Sequence, residues 1–252
     1  MDKEKQIQIS EDRNELVVKS NDLIRNTRYN LSVVEQKIVI YLISKIVAED
    51  KDLKTVNFSI SEYCDLTGIR KGGRGYQLVK ESIRTLRNKS YWISTNDDTE
   101  VLFSWIDTAE IKKKSGIIEI KLSESLKPFL VQLKGNFTKY ELINVLTLNS
   151  KYSIRLYEIF KSYLWLNTWE VDINDFRELL LISDKYKEYK DLQRYVIKPS
   201  LREINKYTDL SVEFYTRKVG RKINKLGFKI IEKRGYQMTI DLLLNQEERL
   251  DK

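Results

Sequence analysis

The chain contains its own pattern twice, and this repeat limits the possible folds more than any other feature. At a constant offset of 113 residues, Phe58, Ile60, Glu62, Tyr63, Leu66 and Ile69 meet Val171, Ile173, Asp175, Phe176, Leu179 and Ile182. Upstream, Val34, Ile38, Leu42 and Ile46 meet Tyr152, Leu156, Phe160 and Leu164 at an offset of 118. The four-residue spacing gives each segment one apolar helical stripe. Downstream, Leu78, Lys80, Ile83 and Arg84 meet Leu192, Arg194, Ile197 and Lys198 at an offset of 114. The order is kept while the offset changes only by loop-sized steps, which marks a repeated structural unit.

Each unit reads as helix, short strand, short helix, longer helix and two-stranded ribbon. Ser32 and Glu35 form a capping-box signal that opens a helix running to about Val47. A strand at 57–60, a short helix at 62–66 and a longer helix at 76–89 follow. Strands are expected at 91–95 and 101–111, then a turn at Lys112–Gly116 into a strand at 117–122. In the second half the helices fall at 152–166, 175–181 and 189–206, with a strand at 171–173. A hairpin of 211–217 and 221–232 closes the unit, turning at Gly220. A helix-turn-helix followed by a β-ribbon is a winged helix. The expected fold is therefore α+β, two winged-helix domains in tandem, divided into 1–134 and 135–252. Tyr41, Tyr152, Phe160, Trp165, Trp92 and Trp105 sit on stripes or beside strands and are read as core.

Several chemistries are excluded by what the sequence lacks. There is no histidine and one cysteine, Cys64. Ser-His-Asp and Cys-His catalysis therefore lose their base, and zinc loses its ligands. Nucleases and recombinases that need a catalytic histidine fall by the same count. No G-x-x-x-x-G-K-[S/T] loop is present, and Gly72-Gly73-Arg74-Gly75 reads as a turn before a helix. No catalytic residue, cofactor or metal is expected, and Cys64 is read as core. The apolar runs are short and broken by charge, and the first residues are polar. Neither a membrane span nor a secretory leader is expected, so the chain is placed in the cytoplasm.

The net charge of +8 is concentrated. Between Lys185 and Arg234, fifteen Lys and Arg face six Asp and Glu, which leaves the rest of the chain close to neutral. A confined basic block alternating with apolar residues is a folded surface for a polyanion. On the 189–206 helix, Arg194, Lys198 and Arg202 share a face, with Lys187 just before it and Lys190 and Gln193 flanking. Ile197, Ser200, Leu201 and Ile204 turn inward. Arg or Gln on the outward face can bond guanine or adenine edges, and Asp191 there suits cytosine or the positioning of Arg194. Arg217, Lys218, Arg221, Lys222 and Lys225 gather at the ribbon tip, where phosphate contacts are expected. The first half has a smaller set: Lys80, Arg84 and Arg87 on its longer helix, with Leu78, Ile83 and Leu86 turned elsewhere, and Lys112, Lys113 and Lys114 at its ribbon turn. Backbone contacts or a dimer-forming role both suit that half. Pro199 conflicts with an uninterrupted helix: either the helix kinks there or it begins there.

Taken together, these segments resemble a known family. Asn149–Lys161, reading NSKYSIRLYEIFK, is similar to a helix shared by the replication initiator proteins of theta-replicating, iteron-containing bacterial plasmids. VVKSNDLI at 17–24 with LSVVEQK at 31–37, VIKPSLREIN at 196–205 and KVGRK at 218–222 extend the likeness over about 17–235. The resemblance implies binding of direct repeats at an origin in double-stranded DNA as a monomer. It also implies a homodimer that represses its own gene, and recruitment of the host initiator and replicative helicase. Base-reading residues would be among Lys190, Gln193, Arg194 and Lys198, and wing contacts at Arg217, Lys218, Arg221 and Lys222. Some relatives carry a further C-terminal extension, which this chain is expected to lack. The rival readings are a winged-helix repressor without origin activity, an origin-nicking enzyme using a tyrosine and a metal, and a sequence-blind nucleoid or RNA surface.

Overall fold

A computed structural model describes residues 15–96, 98–220 and 222–235 of the chain. The chain enters as strand β1 (Leu16–Ser20) and a short helix α1 (Asn21–Arg25), whose first turn is capped by the Ser20 hydroxyl. The next helix, α2 (Val33–Ser44), opens with the expected capping box: Glu35 N–H donates to Ser32 Oγ at 3.2 Å and Ser32 N–H to Glu35 Oε2 at 2.7 Å. It ends three residues sooner than expected, with Lys45 as its C-cap.

After α2 come β2 (Val56–Ser59), α3 (Ile60–Thr67), which holds the buried Cys64, and the longer α4 (Gly73–Asn88). The expected single strand over 101–111 is two strands. β3 (Ser90–Asn96) pairs with β4 (Thr99–Ser104), and the chain then crosses at Trp105 into β5 (Ile106–Lys112), which pairs with β6 (Ile117–Leu122). The break has a packing cause: Trp105 is buried edge-on against Tyr29 and Phe103, so the chain turns at that residue to seat the indole. β2 completes the sheet in the order β2-β6-β5, all antiparallel. A short helix α5 (Lys127–Leu130) leads to β7 (Phe137–Glu141), which returns to pair with β1.

The second unit follows the same plan. α6 (Leu142–Leu146) and α7 (Lys151–Tyr163) precede β8 (Thr168–Asp172), α8 (Ile173–Leu179) and a helix running from 189 to 207. The ribbon is β9 (Leu210–Val219) with β10 (Lys222–Glu232), and the sheet order β8-β10-β9 mirrors that of the first unit. The β3–β4 hairpin has no counterpart among the described residues of this unit. α7 tightens into a 3-10 turn at Leu164–Leu166, which throws Trp165 outward at 73% exposure. Trp92, on β3, is 56% exposed. Neither of these two tryptophans is core, against expectation.

The two units share one core. α2 is buried continuously from Glu35 to Ile43, and α7 from Ser153 to Phe160, so neither carries the single stripe its spacing indicates. Their polar residues are buried because they are bonded. Lys37 Nζ donates to Leu146 O at 2.6 Å, and burial pushes its ammonium down to about 8. Arg155 donates to Thr27 O at 2.7 Å, and Lys19 Nζ meets Glu158 Oε1 at 2.5 Å. A buried pair of this kind tolerates desolvation only when its remaining lone pairs are met. Tyr140 and Tyr29 meet them by donating to the Glu158 carboxylate. Among the described residues no helix is long and apolar enough to cross a membrane.

Candidate nucleic-acid interface

The second unit's longer helix is continuous across Pro199. It is α-helical over Tyr189–Leu192, opens into a π turn over Gln193–Ile197, and resumes as α-helix over Lys198–Tyr207. Lys198 keeps helical dihedrals, and its N–H reaches back five residues to Gln193 O. Pro199 therefore stands in the first turn of a fresh α segment, where a missing N–H is tolerated.

The π turn also explains a detail of the repeat. Burial aligns Val79 with Leu192 at offset 113 and Ile83 with Ile197 at offset 114. The extra residue is the one that the wider turn holds. Leu78, matched to Leu192 on sequence, is instead 46% exposed, because the register before the turn is one residue shorter.

Leu192, Val196, Ile197, Ser200, Leu201 and Ile204 are buried, and Lys190, Arg194, Lys198 and Arg202 are exposed. Lys187 is exposed in the turn before the helix. Gln193 is half-buried and donates to Tyr189 Oη at 3.1 Å, which withdraws it from the cationic row. Arg194 lies over the ring of Tyr195 at 5.3 Å, and Tyr195 stacks on Tyr186 at 5.9 Å between centroids. The turn carrying Tyr186 and Lys187 is held by Arg177, whose guanidinium donates to both backbone carbonyls at 3.1 and 2.7 Å. α8 thus fixes where the long helix begins.

At the second ribbon, Lys218, Lys222 and Lys225 are exposed, and Lys222 faces Val219 across the turn at Gly220 (φ 61°). Arg221 lies outside the described residues. Arg217 is not a free cation: its guanidinium bonds Glu170 on β8 at 2.6 and 2.7 Å, and Tyr215 Oη donates to the same carboxylate at 2.8 Å. Those bonds hold the Glu170 carboxyl below its usual range and leave Arg217 partly neutralised. In the first half, Lys80, Arg84 and Arg87 line the exposed side of α4 while Val79, Ile83 and Leu86 are buried. Arg84 pairs with Glu81 at 2.6 Å. Lys112, Lys113 and Lys114 stand exposed at the β5–β6 turn, with Lys112 paired to Glu119.

Sequence reading missed Tyr195, Tyr186, Arg177 and Glu170. Tyr195 stands one residue from buried Val196, and only the π turn separates the two environments. A charge-pattern reading had a signal for Glu170, an acid at the middle of the strand beside a basic ribbon.

Two family descriptions fit this architecture. Residues 16–161 match the first winged-helix domain of the initiator replication proteins, "Initiator Replication protein, WH1", and residues 172–230 match the second, "Initiator Rep protein, WH2". The chain belongs to the initiator replication protein family. This initiator is 27% identical over 243 residues to a replication initiation protein of Escherichia coli, covering 92% of this chain and 75% of the relative. A probable replication protein of Bifidobacterium longum (strain NCC 2705) is 24% identical over 203 residues, covering 79% and 68%. In three dimensions the initiator superposes on the Pi initiator protein, crystallised in complex with iteron DNA, with a TM-score of 0.72. Identity there is 19%, with 88% of this chain and 99% of the other covered, so that likeness is one of fold. Family and fold agree with the tandem winged-helix reading.

Proposed function

We propose that this initiator binds direct repeats at a plasmid origin in double-stranded DNA, reading bases with the 189–207 helix and gripping phosphates with the β9–β10 wing. The carrying observation is the outward row Lys190, Arg194, Lys198 and Arg202 on a helix whose other side is core, in a helix-then-ribbon unit with three further exposed lysines at its wing. In a helix-turn-helix frame that helix occupies the major groove while ribbon cations meet the backbone. Residues 135–252 would supply the main DNA-reading domain. Residues 1–134, with the smaller row Lys80, Arg84 and Arg87, would supply backbone contacts and self-association. The work is mechanical: copies on adjacent repeats strain the neighbouring duplex in the bacterial cytoplasm and present a platform to the host initiator and helicase, without covalent chemistry. The family membership and the likeness to an initiator crystallised on iteron DNA support this reading.

The test is selection of a preferred duplex from a randomised pool by the full-length protein, followed by binding to that duplex singly, in tandem and scrambled. The preferred sequence should bind roughly a thousand-fold or more above scrambled DNA at one fixed salt concentration. Its counterpart should recur as direct repeats beside the gene. Equal affinity for preferred and scrambled duplexes would overturn the function.

A further inference from the structure

The π turn places one more residue on the surface of the reading helix than the first unit has. Between buried Val79 and buried Ile83 lie Lys80, exposed, Glu81, half-buried, and Ser82, buried. Between buried Leu192 and buried Ile197 lie Gln193, Arg194, Tyr195 and Val196, of which Arg194 and Tyr195 are both exposed. The insertion therefore yields an adjacent cation and aromatic pair where the first unit has one lysine. π turns of this kind inside α-helices are frequent at functional sites.

Tyr195 is also held in place. It is 51% exposed, yet one face of its ring is backed by Tyr186, stacked at 5.9 Å with planes 29° apart. Tyr186 has a φ of 51°, a backbone region that an aromatic residue seldom occupies. The conformation is secured by Arg177 of α8, whose guanidinium donates to the Tyr186 carbonyl at 3.1 Å. A large apolar ring, exposed beside the cation and braced from behind by Tyr186, which α8 holds in place through Arg177, is built to meet something apolar. In the major groove the apolar group is the 5-methyl of thymine, which distinguishes that base from every other.

We propose that Tyr195 is a thymine-reading residue, its braced ring contacting the 5-methyl group of a thymine beside the base pair that Arg194 contacts. The proposal rests on the 189–207 helix lying in the major groove, as argued above.

The test uses the full chain and the duplex it selects from a randomised pool, with each thymine of the protected site replaced in turn by deoxyuridine. This exchange removes one methyl and leaves every hydrogen-bonding group in place. Wild-type protein should bind one or two of these duplexes about four-fold more weakly, the value of one buried methyl group. Tyr195→Phe should keep that difference, and Tyr195→Ser should bind the thymine and deoxyuridine duplexes alike. A partly unfolded variant lowers both affinities equally, so the ratio is unaffected by stability. A preferred duplex with no deoxyuridine effect at any position overturns the proposal alone, as does a Tyr195→Ser protein that keeps the full ratio. A pool that yields no preferred sequence overturns the DNA-reading function, and this inference with it.

Discussion

Glu158 is the residue on which the join between the two units turns. It is fully buried and accepts from Lys19 on β1, Tyr140 on β7 and Tyr29 before α2. Burial alone would raise its carboxyl, but Lys19, Tyr140 and the nearby Arg155 outweigh that and hold it below the ordinary 4.5. Replacing it leaves Lys19 buried without its partner, so Glu158→Gln should cost about 3–5 kcal/mol in urea unfolding at neutral pH. The pH dependence follows from the sign of the shift: a carboxyl with a folded value below its unfolded one stabilises fully above the unfolded value and loses that contribution as pH falls through the folded value. Wild type should therefore lose more stability than Glu158→Gln between about pH 5 and about pH 3; parallel losses would show that the carboxyl does not titrate with folding. On the DNA side, Arg194 and Lys222 separate by role. Arg194→Ala should remove roughly 1–3 kcal/mol of discrimination at particular base pairs. Lys222→Ala should weaken preferred and scrambled DNA alike and make the slope of log affinity against log salt shallower by about one. Matching, sequence-blind losses in salt titrations of both variants would remove the base-reading role from the 189–207 helix. The exposure of Arg194 was legible from helical spacing and that of Lys222 from its place at the ribbon tip; the tethering of Arg217 to Glu170 was not, because that bond joins strands far apart in sequence.

At the scale of elements, the 189–207 helix shows how a local conflict is resolved. A proline inside an α-helix removes a hydrogen bond and costs about 3 kcal/mol or more. Here the π turn has already shifted the bonding register by one residue before Pro199. Pro199→Ala should therefore change stability by less than about 1 kcal/mol, measured by denaturant midpoint at unchanged slope. A gain near the full helix-interior value would mean that the π turn does not relieve the proline. The sequence posed this conflict as a kink or a fresh start, and the structure shows an opened turn from which a fresh α segment sets out at Lys198, with the helix unbroken between them. Two other boundaries were decided by side chains finding or missing a pocket. Trp105 ends one strand and begins another because its indole is buried there, and Trp165 leaves the core because α7 tightens beyond Tyr163. Periodicity reads such segments as continuous, since each is locally apolar on both sides of the break.

Across the whole molecule, the pairing of β1 with β7 and the packing of α2 with α7 join the units through one apolar core. The full chain should consequently unfold in a single cooperative transition, with tryptophan fluorescence and far-UV circular dichroism coincident in urea. Two resolved transitions would show that the units are thermodynamically separate. The sequence by itself determined the duplicated plan, the two winged units, the capping box at Ser32 and the basic character of the second unit. These depend on short-range periodicity, turn chemistry and charge, all written in neighbouring residues. The tertiary structure alone decided that α2 and α7 are buried on nearly every side, that Glu158 collects partners from three segments, and that the 189–207 helix holds an extra residue at its surface. Burial and hydrogen-bond satisfaction are set by which distant segments meet, and spacing along one segment carries no record of its partner.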